Sequence, residues 1–431
     1  MPDLLLELLS EEIPARMQAR AAEDLKRLVT GGLVERGLTY AQAAAFATPR
    51  RLTLALTDLS PRSPDLREER KGPRTDAPEA AVEGFLRSTG LTRDQLEIRA
   101  DKKAQAFFAV ATRPGREAAG IVAETVEATV RDFPWPKSMR WGTGALRWVR
   151  PLHSILCTLS TEIGADVVHF EIDGIVAGDV THGHRFMAPD PLVVRTFEDY
   201  ANKLRHAFVH IDPAERAEQI AHDAAQLAFA QGLEVVEDPA LLAEIAGLVE
   251  WPVVLMGRIE ERFLTLPPEV LQTSMKAHQK FLSVRNPGSG RIEGYIVVAN
   301  RETADHGAAI LAGNARVLAA RLSDAAFFWK NDLATTLDDM AAKLAAVTFH
   351  NKLGSQADRI ARIAALAREL APAVGADPDL AERAARLAKA DLASQMVYEF
   401  PELQGVMGRY YAERAGEAAE VATAAAEHHS P

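Results

Sequence analysis

Hydrophobic spacing changes character once along this chain, near residue 341. Beyond it the sequence is Ala-rich, with Leu, Ile and Val at three- and four-residue intervals in stretches such as Ala-Ala-Lys-Leu and Arg-Ile-Ala-Arg-Ile-Ala-Ala-Leu, the period of an amphipathic helix. No strand signal is legible there. Before it, helical stretches alternate with short apolar runs bounded by Gly, Pro and Asp, the punctuation of strands. The pattern predicts an α+β, multidomain protein, and 431 residues predict two to four domains.

The expected order of elements follows from the same reading. Residues 3–9 form a short apolar run that stops at Ser10-Glu-Glu-Ile-Pro14, and Ala15–Arg36 has helical spacing closed by Gly37: strand, then helix. Phe46–Leu59 is strand-like on both sides of Pro49-Arg50-Arg51, whereas Ser60–Pro78 has few apolar residues and reads as a loop or internal linker. Glu79–Leu96 is a short helical unit broken at Gly90, Phe107–Thr112 a strand and Glu117–Arg131 a helix. Antiparallel strands are expected from Val149 to about Val194, and helices at Phe197–Arg205 and Pro213–Gly232. A second strand set follows at Val253–Ile259, Phe281–Val284 and Tyr295–Ala299, the last two joined as a hairpin across Asn286–Gly290. The expected domains are a mixed α/β N-terminal region over 1–148 with an internal loop near 60–78, a central strand-rich α+β module over 149–340, and a helical domain over 341–431.

Charge and cysteine content exclude several classes. The net charge of −11 rules out a coat for nucleic acid built on bulk positive charge, so any polyanion site must be a local patch. A single cysteine, Cys157, rules out an internal disulfide framework or a multi-cysteine zinc ribbon and fits a reducing compartment, hence a cytoplasmic expectation. Asp3, Glu7, Glu11 and Glu12 stand where a secretory signal needs basic residues, and no apolar run approaches the roughly 18 residues of a membrane span. A soluble, non-secreted protein without a membrane partner is expected.

Several motifs reduce to structure. Gly288-Ser289-Gly290 lacks the Gly-Lys-Ser/Thr ending of a phosphate loop and precedes a strand, so it reads as the hairpin turn. His182-Gly183-His184 resembles the His-x-Gly-His of class I aminoacyl-tRNA synthetases with one residue too few. No Lys-Met-Ser-Lys-Ser follows, and the class II arginine motifs find no match, so no ATP site is assigned to this chain. His206 and His210 stand four apart but without the Glu of a zinc protease, which leaves exposed histidines at a helix end.

One window departs from the rest. Between Arg131 and Pro151 five cations, Arg131, Lys137, Arg140, Arg147 and Arg150, face one acid, Asp132, so the window is +4 within a chain of −11. Trp135, Trp141 and Trp148 lie in it as well. Cations hold phosphates and flat rings stack on unpaired bases, the composition of an RNA contact. Arg and Trp are equally enriched in protein interfaces, and the tryptophans can also be plain core. Thr181–Met187 and Ser274–Lys280 are two further segments dense in His, Lys and Arg, either contacts or solvated edges.

Ordered strings along the chain resemble the β subunit of the bacterial heterotetrameric glycyl-tRNA synthetases. They are Leu-Leu-Ser-Glu-Glu-Ile-Pro at 8–14, Thr-Pro-Arg-Arg-Leu at 48–52, Pro-Lys-Ser-Met-Arg-Trp-Gly at 136–142, Val-Arg-Pro-Leu-His at 149–153 and Gly-His-Arg-Phe at 183–186. Further on come Val-Glu-Trp-Pro-Val at 249–253, Gly-Asn-Ala-Arg-Val-Leu-Ala-Ala-Arg-Leu-Ser-Asp-Ala at 313–325 and Glu-Phe-Pro-Glu-Leu-Gln-Gly-Val-Met-Gly at 399–408. The resemblance implies an aminoacyl-tRNA synthetase subunit in an α2β2 assembly. The α subunit would hold ATP, Mg and glycine, and this chain, with no cofactor of its own, would position the glycine tRNA.

The resemblance further implies that the middle of the chain is similar to the B3/B4 module of the phenylalanyl-tRNA synthetase β subunit and its end to an HD-type domain. In HD hydrolases a His, a His-Asp pair and a later Asp hold metal; here Ala390-Asp391 replaces the pair, so even with His350 as the first ligand the set is incomplete. The family continues further, to an anticodon-binding domain, so an N-terminal fragment is expected. Candidate tRNA or partner contacts are Lys137, Arg140, Trp141, Arg147 and Arg150, then Arg50, Arg51, His184, Arg185, Lys276 and Lys280; no catalytic or metal-binding residue is assigned. Two other readings remain: an assembly scaffold for the α subunit with little RNA binding, and an HD-type metal phosphohydrolase, which Ala390 opposes.

Overall fold

A computed structural model describes residues 1–101 and 104–430 of the chain. They form two units, Met1–Pro213 and Ala214–Pro431. The first contains β1 (Asp3–Ser10), α1 (Ala15–Glu35), β2 (Gln42–Ala47), β3 (Arg51–Thr57), β4 (Leu66–Arg74), α2 (Glu79–Thr89), β5 (Glu97–Asp101), β6 (Ala104–Arg113), α3 (Ala118–Arg131), β7 (Leu152–Thr161), β8 (Gly164–Val167), β9 (Glu171–Ile172), β10 (Ile175–Gly178), β11 (Val180–His182), β12 (Pro191–Val193) and α4 (Phe197–His206).

The N-terminal apolar run becomes a central strand because both of its faces are covered. The main sheet has the order β2-β3-β1-β7-β10-β9, with β8 also on β7. Leu4, Leu6 and Leu8 face the cluster made with Leu25, Val29 and Leu33 of α1 and Ile121, Val122 and Val126 of α3. Leu5 points the other way, to Tyr200 and Leu204 of α4. A strand buried on both faces loses its apolar-polar alternation, which is why Asp-Leu-Leu-Leu-Glu-Leu-Leu reads as a continuous run. Each buried leucine contributes about 2 kcal/mol of transfer free energy.

One expected loop is in fact a strand. Within 60–78 lies β4, paired antiparallel to β6, which also pairs with β5 in a separate three-stranded sheet. Its strand character comes from its neighbours rather than from its own apolar content. Arg99 bonds Glu69, and Arg67 lies 3.6 Å from Glu97; Val82 and Phe85 of α2 pack with Phe107 of β6.

The second unit holds α5 (Pro213–Phe229), β13 (Glu234–Val235), α6 (Pro239–Ala246), β14 (Val253–Arg258), α7 (Pro268–Ser274), β15 (Leu282–Arg285), β16 (Ile292–Ala299), α8 (Ala308–Leu333), α9 (Leu337–Lys343), β17 (Thr348–His350), β18 (Gly354–Ser355), α10 (Gln356–Leu370), α11 (Pro378–Leu387), α12 (Gln395–Glu399), α13 (Val406–Ala415) and α14 (Ala419–Glu427). Its four-stranded antiparallel sheet runs β13-β15-β16-β14. The β15–β16 turn is the expected hairpin: the Asn286 side chain accepts from Gly288 and Ser289, and Gly290 adopts φ +73°.

The observed division falls at Pro213, inside the central module expected over 149–340, and no break separates the sheet from the helices near 341. One apolar cluster runs from Ile259 and Tyr295 through Leu318 and Trp329 to Met396, Met407 and Ala422. Hydrophobic spacing shows which face of a helix is buried but not against what, so a shared core was invisible to it. The small β17–β18 hairpin also interrupts the expected all-helical end; strands of three and two residues carry no periodicity.

Candidate functional site

Four of the strings that carry the resemblance meet at one end of β1. The strand is flanked by β3 and β7, so its last residues lie beside the first residues of both. A β-bulge sits at this end: Leu9 pairs with Ser154 and Ser10 with Leu152, leaving His153 as the extra residue. Bulges re-aim side chains next to sites, and here the His153 Nε2–H donates to Glu11 Oε1 at 2.8 Å. The other Glu11 oxygen accepts from Arg185. Arg185, His153 and the charge of Arg50 hold the Glu11 carboxyl below the usual range against its partial burial.

Leu9, Glu11, Arg50, His153, Ser154, His182, Gly183, Arg185 and Pro189 line the resulting cleft, about 350 Å³ in volume. Beneath it lies a fully enclosed polar network. Glu7 accepts from the Thr181 hydroxyl at 2.6 Å and the Tyr200 hydroxyl at 2.5 Å, and Arg51 Nε stands 3.2 Å from its carboxylate. The Tyr200 oxygen also lies 2.8 Å from Thr53 Oγ1. Burial, with Glu7 beside it, pushes the Tyr200 phenol well above its ordinary value, so it remains a neutral donor. Arg51 reaches on to the carbonyl oxygens of His182 and Gly183 and so ties the cleft wall to the sheet.

Two expected contact residues are therefore internal. Arg51 is completely buried and serves the Glu7 network. His184 is 1% exposed; its Nδ1 accepts from the Phe186 and Met187 backbone N–H groups at 3.3 Å each, which shapes the loop. Gly183 stands between the histidines for a packing reason: a Cβ there would lie 2.4 Å from the Ala188 oxygen and 2.6 Å from the Ala207 Cβ. Arg50 and Arg185 remain as cleft residues. Glu11, His153 and Ser154 were not among the candidates, and His182 entered only as part of the Thr181–Met187 segment; the bulge that presents His153 exists only in the pairing register.

The basic window is an irregular loop with its own scaffold. Met139 and Trp148 exchange both backbone hydrogen bonds, at 2.8 and 3.2 Å. Asp173 accepts from the Ala145 and Leu146 N–H groups at 3.1 and 3.2 Å, and those bonds hold its carboxyl below the ordinary range. Lys137, Arg140 and Arg147 are exposed and Arg150 is half-buried; among the described residues none of the four is ion-paired with a carboxylate. Arg147 instead donates to Ser138 Oγ at 3.3 Å, and Arg150 to the Val149 oxygen at 2.9 Å. The tryptophans are core more than surface. Trp148 is fully buried against Phe133 and Trp135, with ring centroids 5.0 Å away in each case, while Trp141 is half-buried on the same cluster. Bases cannot stack on Trp148.

Lys276 and Lys280 lie in the second unit, where Asp238 and Glu244 neutralise them; the Lys280–Glu244 separation is 3.2 Å. Asp391 points inward there. One of its oxygens accepts from the Gly405 and Gly408 N–H groups at 2.6 and 3.0 Å, and burial raises its pKa to about 6. His350 stands exposed on β17. Among the described residues no three His, Cys, Asp or Glu side chains converge as metal ligands, and no helix is long and apolar enough to cross a membrane.

Comparison with known proteins places this geometry in context. Residues 4–431 match the family model described as glycyl-tRNA synthetase beta subunit. A relative from Paracoccus denitrificans, named glycine–tRNA ligase beta subunit, is 70% identical over 434 residues, covering 100% of this chain and 63% of its own length. One of the same name from Cereibacter sphaeroides is 68% identical, covering 100% of this chain and 62% of its own length, and one from a Ruegeria species is 66% identical, with 100% and 64% covered. The chain thus spans less than two thirds of the length of these relatives.

Proposed function

The chain belongs to the glycyl-tRNA synthetase β-subunit family, and from that premise we propose that it is the tRNA-handling part of a cytoplasmic glycine–tRNA ligase. In this reading it holds the glycine tRNA while a separate α subunit, in an α2β2 assembly, binds ATP and Mg, makes glycyl-adenylate and transfers glycine to the tRNA 3′ end. The supporting observation is the set of exposed cations Lys137, Arg140 and Arg147 on the loop pinned by Asp173, none ion-paired with a carboxylate among the described residues. In a chain of −11 such an un-neutralised patch favours a polyanion, and with Trp148 inside the core it would touch phosphates rather than bases.

The test is fluorescence anisotropy of labelled glycine tRNA with the chain, at several salt concentrations, with and without the α subunit. Changing Lys137, Arg140 and Arg147 to Ala together should weaken tRNA binding and flatten the log–log salt slope by about one unit per lost phosphate contact. The second reading, a scaffold for the α subunit, draws on Met139 and Trp141, apolar groups beside the same cations. It predicts unchanged tRNA binding and loss of α-subunit association, little affected by salt.

A further inference from the structure

The cleft at the end of β1 is organised around an anion. Glu11 supplies one in the resting chain, with one oxygen toward Arg185 and the other toward the His153 imidazole. Two oxygens and two donors already satisfy a carboxylate, yet the cleft offers more. Arg50 adds a second fixed positive charge to the wall. Ser154 Oγ and His182 Nδ1, in residues that also line the cleft, are buried atoms without a hydrogen-bond partner among the described residues. Buried polar atoms are rarely left so, and each such case calls for an explanation. The cleft's volume of about 350 Å³ falls within the range of small-molecule sites.

We propose that this cleft binds a single phosphate group carried by a nucleotide. Arg185 and Arg50 supply charge, Ser154 and His153 donate, and Glu11 competes with the ligand for Arg185. A phosphate presents more acceptor oxygens than a carboxylate and so uses Ser154 as well as the donors Glu11 now holds. The wall is prepared in advance: Arg51 fixes the His182 and Gly183 carbonyls from below, and the buried Glu7–Tyr200–Thr181 network fixes Arg51. A buried ion pair is weak evidence for stability, whereas a rigid floor lowers the ordering cost of binding.

The site does not depend on the tRNA reading, because its probes are free phosphate and adenosine 5′-monophosphate. Isothermal titration of the 431-residue chain should show binding of both probes and none of adenosine. Arg185→Ala should weaken binding about tenfold or more, the loss expected for a charge-assisted hydrogen bond. Glu11→Gln should strengthen it severalfold by removing the competing charge, an opposite sign that damage to the fold would not produce. Arg50→Lys, which keeps the charge, should weaken it less than Arg185→Ala.

A glycine tRNA with and without its 5′-phosphate separates the two sources of the group. If the RNA end is the ligand, removing that phosphate weakens binding in the parent chain but not in Arg185→Ala; if a free nucleotide is the ligand, its binding persists and tRNA binding ignores the 5′-phosphate. No binding by either the parent chain or Glu11→Gln at about 10 mM phosphate overturns the proposal, as does weakening by Glu11→Gln. The triple Ala change at Lys137, Arg140 and Arg147 should leave the nucleotide titration unchanged, so failure of the RNA patch and failure of this site are separable.

Discussion

Replacing Arg51 with Met tests the floor of the cleft directly. Arg51 and Glu7 are both fully enclosed and 3.2 Å apart. At an effective dielectric of about 20, two unit charges at that distance attract by about 5 kcal/mol. Removing one partner of a buried pair strands the other, at a cost of about 3–5 kcal/mol. The Thr181 and Tyr200 hydroxyls, 2.6 and 2.5 Å from the Glu7 oxygens, would still hold the carboxylate, so the loss should fall at the low end, about 3 kcal/mol. Hydrogen exchange of the β1 and β3 amides, resolved by mass spectrometry, reads the opening of this sheet without involving the second unit. Changing Glu7→Leu together with Arg51→Met should restore part of the lost protection, because it removes the stranded charge while leaving the Thr181 hydroxyl without its acceptor. A loss below about 1 kcal/mol for Arg51→Met would refute the view of Arg51 as an internal strut.

Three further outcomes are expected. Burial holds the Asp391 carboxyl at about 6 against an ordinary 3.8, so between those values the folded chain keeps a proton that the unfolded chain has lost. Its contribution to stability therefore falls as pH rises from about 4 to about 6 and is level above, by about 3 kcal/mol in all; urea melts should show this slope in the parent chain minus Asp391→Asn, and a flat difference would remove the assignment. Trp148→Ala should destabilise the first unit by about 3–5 kcal/mol, seen as lower urea resistance of its sheet, whereas Trp141→Ala, at a half-buried ring, should cost less. Gly183→Ala should open the cleft wall, since its Cβ meets the Ala188 oxygen at 2.4 Å, and faster exchange of the 182–188 amides with β1 unchanged would be the signature.

The parts of this molecule that the sequence made legible are those whose cause is local. The helix over Ala15–Glu35, the hairpin at Asn286–Gly290 and the helical spacing after 341 were readable because period and turn residues act over a few positions. β4 was not, because its pairing depends on β6 and on ion pairs between Glu69 and Arg99 and between Arg67 and Glu97. Adjacent Arg50 and Arg51 show the same limit at single-residue scale. Both lie in one basic string, yet Arg51 is inside with Glu7 and Arg50 lines the cleft, a difference set by the register of β3 on β1.

The cleft follows the same logic, since Glu11 meets His153 across 142 positions and Arg185 across 174. No window along the chain contains two of its walls. What the sequence did carry was the ordered set of short strings at 8–14, 48–52, 149–153 and 183–186, and the fold turns that order into a place. Glu11, which the sequence marked as an acid within the string at 8–14 but not as a site residue, is the residue at which those strings meet. Its carboxylate is held by groups from β7 and from the segment after β11, so changing it alone alters the charge of the cleft while leaving the buried Glu7–Arg51 network in place. That separation of charge from scaffold makes Glu11 the most informative position in the first unit.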